Sequence, residues 1–452
     1  MSTLAAALPP GPTQPSPLLA ARFMLQPTRF LEANASRYGD AFTVQLSKDR
    51  TVVITSDPDT VKRVFTGDPE QLLAGVGNVV LKPLLGPRSV LLLDGPEHLR
   101  QRRLMLPSFH GERMRTYGEA MRDAAERHVN RWPIGSSFPT QPSMQAITLE
   151  VILRAVFGVR DDREVERLAT PLRRMLDATA SQARLVLLQL TKSEGASPRS
   201  PWGRFRALMA PADAVVSEQI QARRDDPQAA ERDDVLSLLL AARDEDGQPL
   251  TDAELRDELM TLLLAGHETT ATALSWTLER IVRHPEVLER LVAEQRDGGD
   301  EYLDAVIKET LRLRPVVPGV VRYLTAPFQV KEWELPAGVN VAPSIYLLHR
   351  RADLYPNPLA FQPERFLDAK PGTYEWIPFG GGVRRCLGAS FALYEMKIVL
   401  STILARAKLQ PVQSRDERTT RRAITYTPAR GGRIQVESLV PARPAARAQV
   451  AA

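Results

Sequence analysis

Between Thr251 and Pro285 the chain carries one uninterrupted helical pattern, and no other stretch restricts the fold as much. Thr251-Asp252-Ala253-Glu254 has the form of a capping box, and Pro285 ends the run just after His284. At ~1.5 Å per residue this predicts a rod roughly 50 Å long. From Leu259 to Val282 it is apolar nearly all round, the pattern of a helix buried on every side. Such a helix needs a large domain to surround it. The 452 residues, 43% of them hydrophobic, are enough to build that core. Length alone suggests more than one domain, but no linker or shift of composition divides the body, so a single large domain is expected.

Two stretches break the rules of the core around them. Within the buried run sits Ala265-Gly266-His267-Glu268-Thr269-Thr270, where each polar group needs a partner. A threonine can bond its own helix carbonyls, but that leaves Glu268 unexplained. The second stretch, Phe379 to Gly388, holds the only cysteine of the chain, Cys386, behind three glycines and beside Arg384 and Arg385. A helix follows from Ala389 to Leu400. A lone cysteine is ordinarily a small buried hydrophobe. Here the arginines and the helix start favour a thiolate, the form that binds metals or attacks electrophiles, and the glycines let the backbone approach something bulky and flat.

Both stretches resemble motifs of the cytochromes P450. Phe379, Gly382, Arg384, Cys386 and Gly388 match that family's haem loop, and Ala265 to Thr270 match its oxygen-activation motif. Glu309 and Arg312, in Glu-Thr-Leu-Arg, and Arg365, in Pro363-Glu364-Arg365-Phe366, match a charged trio that holds the scaffold of the haem loop. His98 and Arg102, four apart on a helix opened by Pro96, share one face and match a pair that contacts the haem propionates. The resemblance implies a mainly α-helical triangular prism with small β-sheets at one side, enclosing one haem b (iron protoporphyrin IX). Cys386 is then the iron ligand, with Phe379, Gly380, Gly388, Arg384, His98, Arg102 and Arg322 around the cofactor. Thr269 bonds the activated oxygen and Glu268 feeds it protons; His267 falls at the variable position and is taken as structural.

The implied reaction is a monooxygenation, hydroxylation or epoxidation, using O2. The chain has no flavin or nicotinamide segment, so electrons come from a ferredoxin or flavodoxin with its reductase, with Arg100, Arg103 and Arg385 as docking candidates. By family position Val76, Val79, Leu85, Leu264, Ala265, Val317, Val320 and Ile424 line the substrate pocket. All are small or aliphatic, so the expected substrate is a small apolar organic compound: a terpenoid, steroid or fatty acyl chain. A peroxide-driven peroxygenase is the nearest alternative, but its relatives replace the acid and threonine by arginine and proline. A non-catalytic haem carrier of gas or ligand has no need of the intact Glu268 and Thr269.

Charge and composition narrow the setting. The 59 basic residues are interleaved with 54 acidic ones, which reads as a solvated surface and not a nucleic-acid site. One cysteine excludes an intramolecular disulfide and fits a reducing cytoplasm. Met1 to Gln26 is proline-rich, is not a secretory signal, and never gives the ~18 apolar residues of a membrane span, so no transmembrane segment is expected. The reading is a cytoplasmic monomer with a lead at 1–26, a monooxygenase domain at 27–437 and a disordered tail at 438–452. Phe42–Leu46 and Thr51–Thr55 read as a hairpin, Val330 to Val341 as another, and Asp162 to about Leu190 as one helix.

Overall fold

The computed structural model describes residues 8–47, 50–109, 113–180, 188, 197–368, 370–412 and 415–441. Its axis is the long helix Asp252–Arg283, opened by the reciprocal capping box of Thr251 and Glu254. Burial runs almost unbroken from Leu255 to Leu263 and from Thr270 to Val282. Around it pack the helices Gln141–Phe157, Pro201–Arg224, Glu301–Leu313 and Ala389–Arg406, whose apolar faces merge into one core. Gly266 lets helix Gln141–Phe157 close in: a Cβ there would stand 3.0 Å from Ile152.

The β-structure of the described residues forms four small sheets. Strands β1 (Ala41–Ser47) and β2 (Arg50–Thr55) form the expected hairpin, with Phe42 opposite Ile54 and Val44 opposite Val52. The segment after Val330 divides differently from the single hairpin expected. Phe328–Val330 pairs with Trp333–Leu335, while Asn340–Pro343 runs parallel to β2 and joins the main sheet. The reason is the wholly buried Asn340–Pro343, which suits a central strand covered on both faces. Nearer the C-terminus, Thr419–Arg422 and Thr425–Pro428 make a further hairpin, closed by Ala423 in the left-handed region (φ 51°).

Two expected boundaries fall elsewhere. Residues 9–25 belong to the packed body. Thr43 bonds the carbonyls of Pro9 and Pro10, and helix α1 (Ser16–Leu25) buries Leu19 among Phe30, Phe42 and Tyr426. Pro17 sits in the first turn of α1, where its missing N–H costs nothing. At the other end, strand Arg433–Leu439 reaches into the expected tail. Residues 442–452 lie outside the described part, as do most of 181–196, where the expected helix from Asp162 is seen only to Thr179.

Two members of the charged trio, Glu309 and Arg312, are fully enclosed, with Arg365 partly covered beside them. Arg312 donates two bonds to Glu309, at 2.7 and 2.8 Å, and others to the carbonyls of His349, Pro358 and Ala360. Arg365 and the Gln362 amide add donors to the same carboxylate. Glu309 and Arg312 have no solvent exposure, so removing either strands a buried charge. Glu309→Ala is expected to cost ~3–5 kcal/mol in urea unfolding. A loss below ~1 kcal/mol would show the trio to be incidental.

Candidate active site

The cysteine loop is shaped by contacts that hold the thiol outward. The Cys386 amide donates to the Phe379 carbonyl at 3.0 Å and the Arg385 amide to Gly382. Gly382 has φ 63°, and a Cβ there would collide with the Phe65 carbonyl oxygen. The glycines therefore admit helix α3 (Pro58–Thr66) and the Phe65 ring as the bulky neighbour. Beyond the loop, the Gly388 N–H donates to the cysteine sulfur. Phe379 is half-buried, set edge-on to Trp376. Cys386 is solvent-accessible, yet burial pushes its thiol up, opposed by that N–H, Arg102 and Arg385. A group both accessible and desolvated lines the wall of an internal cleft. Ala265 gives the same sign from the long helix: it is exposed in the middle of a buried rod.

Four donors share this cleft. His98 is 3% exposed and is pushed down to about 3 by burial and by Arg384, Arg102 and Arg322. Arg322 is lowered to about 10 by burial and by Arg384, and Arg384 likewise by burial and by Arg102. Arg322 donates to the neighbouring Val321 carbonyl, and Arg102 makes no ion pair among the described residues. The carboxylate that faces Arg322 and Arg384 is that of Asp94. Buried cations in that excess call for anions, and the two carboxylates of a haem meet the need. The accessible thiol, Gly388 with open space around its Cα, and the cation cluster all fit that group.

Asp94 is the residue that reading the sequence missed. Standing before Gly95-Pro96 it looks like a helix cap, but it makes no capping bond to that helix. It takes the amides of Ala74, Gly75 and Val76 and the guanidinium of Arg384. Arg384 also binds the carbonyls of Val90 and Leu93. Val90 in turn donates to Glu258 and Arg88 to Asp257 on the long helix. Loop 86–94 thus ties the two motif-bearing segments together. Glu258, pushed up to about 8 by burial, holds its end of the tie in protonated form at neutral pH.

The acid and the threonine of the long helix also have partners that no motif announced. Thr269 donates to the Ala265 carbonyl at 2.5 Å. Glu268 accepts from Gln145 at 2.8 Å and lies 3.1 Å from Arg422 Nε, near enough for an ion pair but angled away from a hydrogen bond. Arg422 reaches Asp177, 66% exposed, on its other side. Burial pushes Glu268 up, and Arg422 and Gln145 pull it back. His267 is buried and lowered to about 4, a packed neighbour of helix Gln141–Phe157.

Other candidates scatter. Val76, Val79 and Ile424 are 44%, 56% and 38% exposed, and Leu264 and Val317 are half-buried. Leu85, by contrast, is packed into the main core together with Leu81 and Leu84, so it does not line open space. Val320 leans on the small cluster of Val61, Phe65 and Ile345. Arg100 is not free for docking. Asp244, Glu254 and the Pro249 carbonyl already hold it, and Arg103 pairs with Glu245.

The family model for Cytochrome P450 matches residues 9–434. The chain belongs to the cytochrome P450 family. Members bind haem b through a cysteine thiolate and act as monooxygenases. Putative cytochrome P450 135B1 of Mycobacterium tuberculosis is 43% identical over 95% of this chain and 92% of its own length. Putative cytochrome P450 138 of the same organism is 39% identical over 94% and 96%. Among solved structures, cyanobacterial CYP120A1 with retinoic acid bound superposes with a TM-score of 0.81, 26% identical over 96% of this chain and all of that one. The P450DA heme domain, 24% identical, shares the fold with a TM-score of 0.82.

Arg422 gives a pH test. Its charge lowers the pKa of Glu268, so Arg422→Gln is expected to move ionisation of that carboxyl to higher pH. The alkaline limb of the pH profile for coupled turnover, where the proton-supplying acid is lost, then shifts upward, and Arg422→Lys restores part of the shift. An unmoved limb separates Arg422 from the acid.

Proposed function

We propose that this P450 inserts one oxygen atom of O2 into an apolar organic compound, with Cys386 as iron ligand and His98, Arg102, Arg322 and Arg384 holding the propionates. The observation that carries the reading is the accessible thiol beside a buried cluster of cations with too few carboxylates to balance it. Bound haem supplies the two-electron, two-proton reduction of O2 that sends one oxygen to substrate and the other to water. The chain does the rest. The Gly388 amide and the charges of Arg102 and Arg385 oppose the burial that pushes the thiol up, and so favour the thiolate that a bound iron would complete. Thr269, fixed on the Ala265 carbonyl, hands a proton inward, and Glu268 resupplies it at the end where Arg422 and exposed Asp177 meet it. Glu309, Arg312 and Arg365 keep the scaffold under the loop rigid.

The substrate reading rests on Val76, Val79, Leu264, Ala265, Val317 and Ile424, which offer aliphatic contact and no charge. A terpenoid, steroid or fatty acyl compound suits such a wall, and the retinoic acid in the cyanobacterial relative favours an isoprenoid. Apolar pockets discriminate by only ~1–3 kcal/mol per methylene, so a family of related compounds is expected to bind. The dithionite-reduced protein with carbon monoxide is expected to show the Soret band of thiolate-ligated haem, and Cys386→His to lose it. A histidine-type band in the unaltered protein would falsify the ligand assignment. Members of an isoprenoid series should then shift the optical spectrum of the haem-loaded protein.

Electrons come from a separate ferredoxin or flavodoxin with its reductase. A groove of about 320 Å³ beside the cysteine loop is lined by Gly380, Gly381 and Gly382, with Arg385 and Lys370 at its edge. Both cations are exposed and suit an acidic donor, whose association slows as salt rises. Lys370→Glu is expected to slow reduction by an acidic ferredoxin severalfold at low salt and leave substrate affinity unchanged; equal rates at all salt concentrations reject the docking face.

A further inference from the structure

Helix α1 presents apolar residues on two faces. The inner one, Leu19 and Phe23, is packed against the cluster of Phe30, Phe42 and Tyr426. The outer one places Leu18, Arg22 and Leu25 at i, i+4 and i+7, a single stripe. Leu18 is 51% exposed and Leu25 81%, the highest of any large apolar side chain among the described residues. Scattered exposed leucines are ordinary. What sets these apart is the charge around them. From Leu8 to Tyr38 the chain has Arg22, Arg29 and Arg37 and, as its one acid, Glu32, whose carboxylate is taken by the Tyr346 hydroxyl.

The three arginines line one open groove of about 360 Å³ between α1 and the next helix, α2 (Pro27–Tyr38), with Gln26 and Tyr38. None of them is in an ion pair among the described residues. Arg22 bonds the neutral Gln14 amide, and Arg37 lies 5.3 Å from the Tyr38 ring centre. An unpaired cationic groove next to outward leucines is complementary to one kind of partner, a surface that is anionic on the outside and apolar just beneath.

We propose that α1 and α2 dock this protein on an anionic phospholipid surface, with headgroup phosphates in the arginine groove and Leu18 and Leu25 seated in the acyl boundary. The surface adjoins the hairpin Thr419–Pro428: Arg421 donates to the Met24 sulfur at 3.4 Å and lies 5.2 Å from the Phe23 ring centre. Docking therefore brings Ile424, at the turn of that hairpin, toward the phase in which apolar compounds concentrate. The docking itself does not depend on which substrate is turned over.

The test uses the full haem-loaded chain and vesicles of phosphatidylglycerol with phosphatidylcholine, against phosphatidylcholine alone. Co-sedimentation with the anionic vesicles is expected, weakening as salt rises. Leu18→Asp/Leu25→Asp and, separately, Arg22→Gln/Arg29→Gln/Arg37→Gln should each lower the partition coefficient by about tenfold or more. Unchanged carbon monoxide spectra and melting temperatures verify that both variants are folded. The proposal is overturned by three results: no binding to anionic vesicles, equal binding to both vesicle types, or partition unaltered in both variants. Self-association of the unaltered chain in sedimentation velocity, abolished by the leucine variant without any vesicle binding, assigns the face to a second copy and equally overturns it.

Discussion

A buried positive charge without a counterion is expensive, and the centre of this molecule holds Arg102, Arg322 and Arg384 with Asp94 to balance them. That imbalance is what the rest of the architecture serves. The loop that carries Cys386 also carries Arg384. The loop that answers Arg384, residues 86–94, is itself pinned to the long helix by Asp257 and Glu258. Helix, loop and cysteine segment therefore meet around a cleft that is most stable when an anion completes it. Any ligand that binds only the folded chain adds to its stability by mass action, so holding a dianionic cofactor and holding the fold are here one problem.

The sequence made the frame legible where one segment had to satisfy a rule by itself. The capping box at Thr251, the stop at Pro285 and the apolar run between them need no knowledge of the neighbours, and the helix Asp252–Arg283 follows them closely. The β1 and β2 hairpin is local in the same way. Asn340–Pro343 is not: its partner β2 lies far back in the chain, so nothing near it announces a parallel pairing. The N-terminal lead reads as an appendage for a similar reason. Its prolines suggest irregular chain, whereas Pro17 opens a helix, and the surface that buries Leu19 is built by residues much later in the sequence.

The site shows the same division between motif and partner. Cys386, Glu268 and Thr269 stand out because their residue types are improbable in their settings. Asp94, Gln145 and Arg422 do not, since each has an ordinary local explanation as a cap or a surface side chain. Their roles appear only when segments far apart in sequence are brought together, as Gln145 and Arg422 are on the carboxylate of Glu268. Arg100 fails in the opposite sense. Its type and place suit a docking surface, but Asp244 and Glu254, both remote in sequence, had already claimed it.

The hairpin Thr419–Pro428 sets Arg422 and Ile424 on either side of one turn. Arg422, which faces Glu268, and Ile424, assigned to the substrate wall, flank Ala423, the residue that turns the chain through a left-handed conformation. A turn so short is stiff, because a non-glycine residue at positive φ leaves little freedom to either neighbour. In the proposed reading, a substrate in contact with Ile424 presses on the same turn that carries Arg422, whose charge acts on Glu268. The proposed substrate wall and the partner of the proposed proton donor therefore share one short turn. The ion pair between Arg422 and Glu268 is already off hydrogen-bond geometry at 3.1 Å, so a small displacement is enough to make or break it.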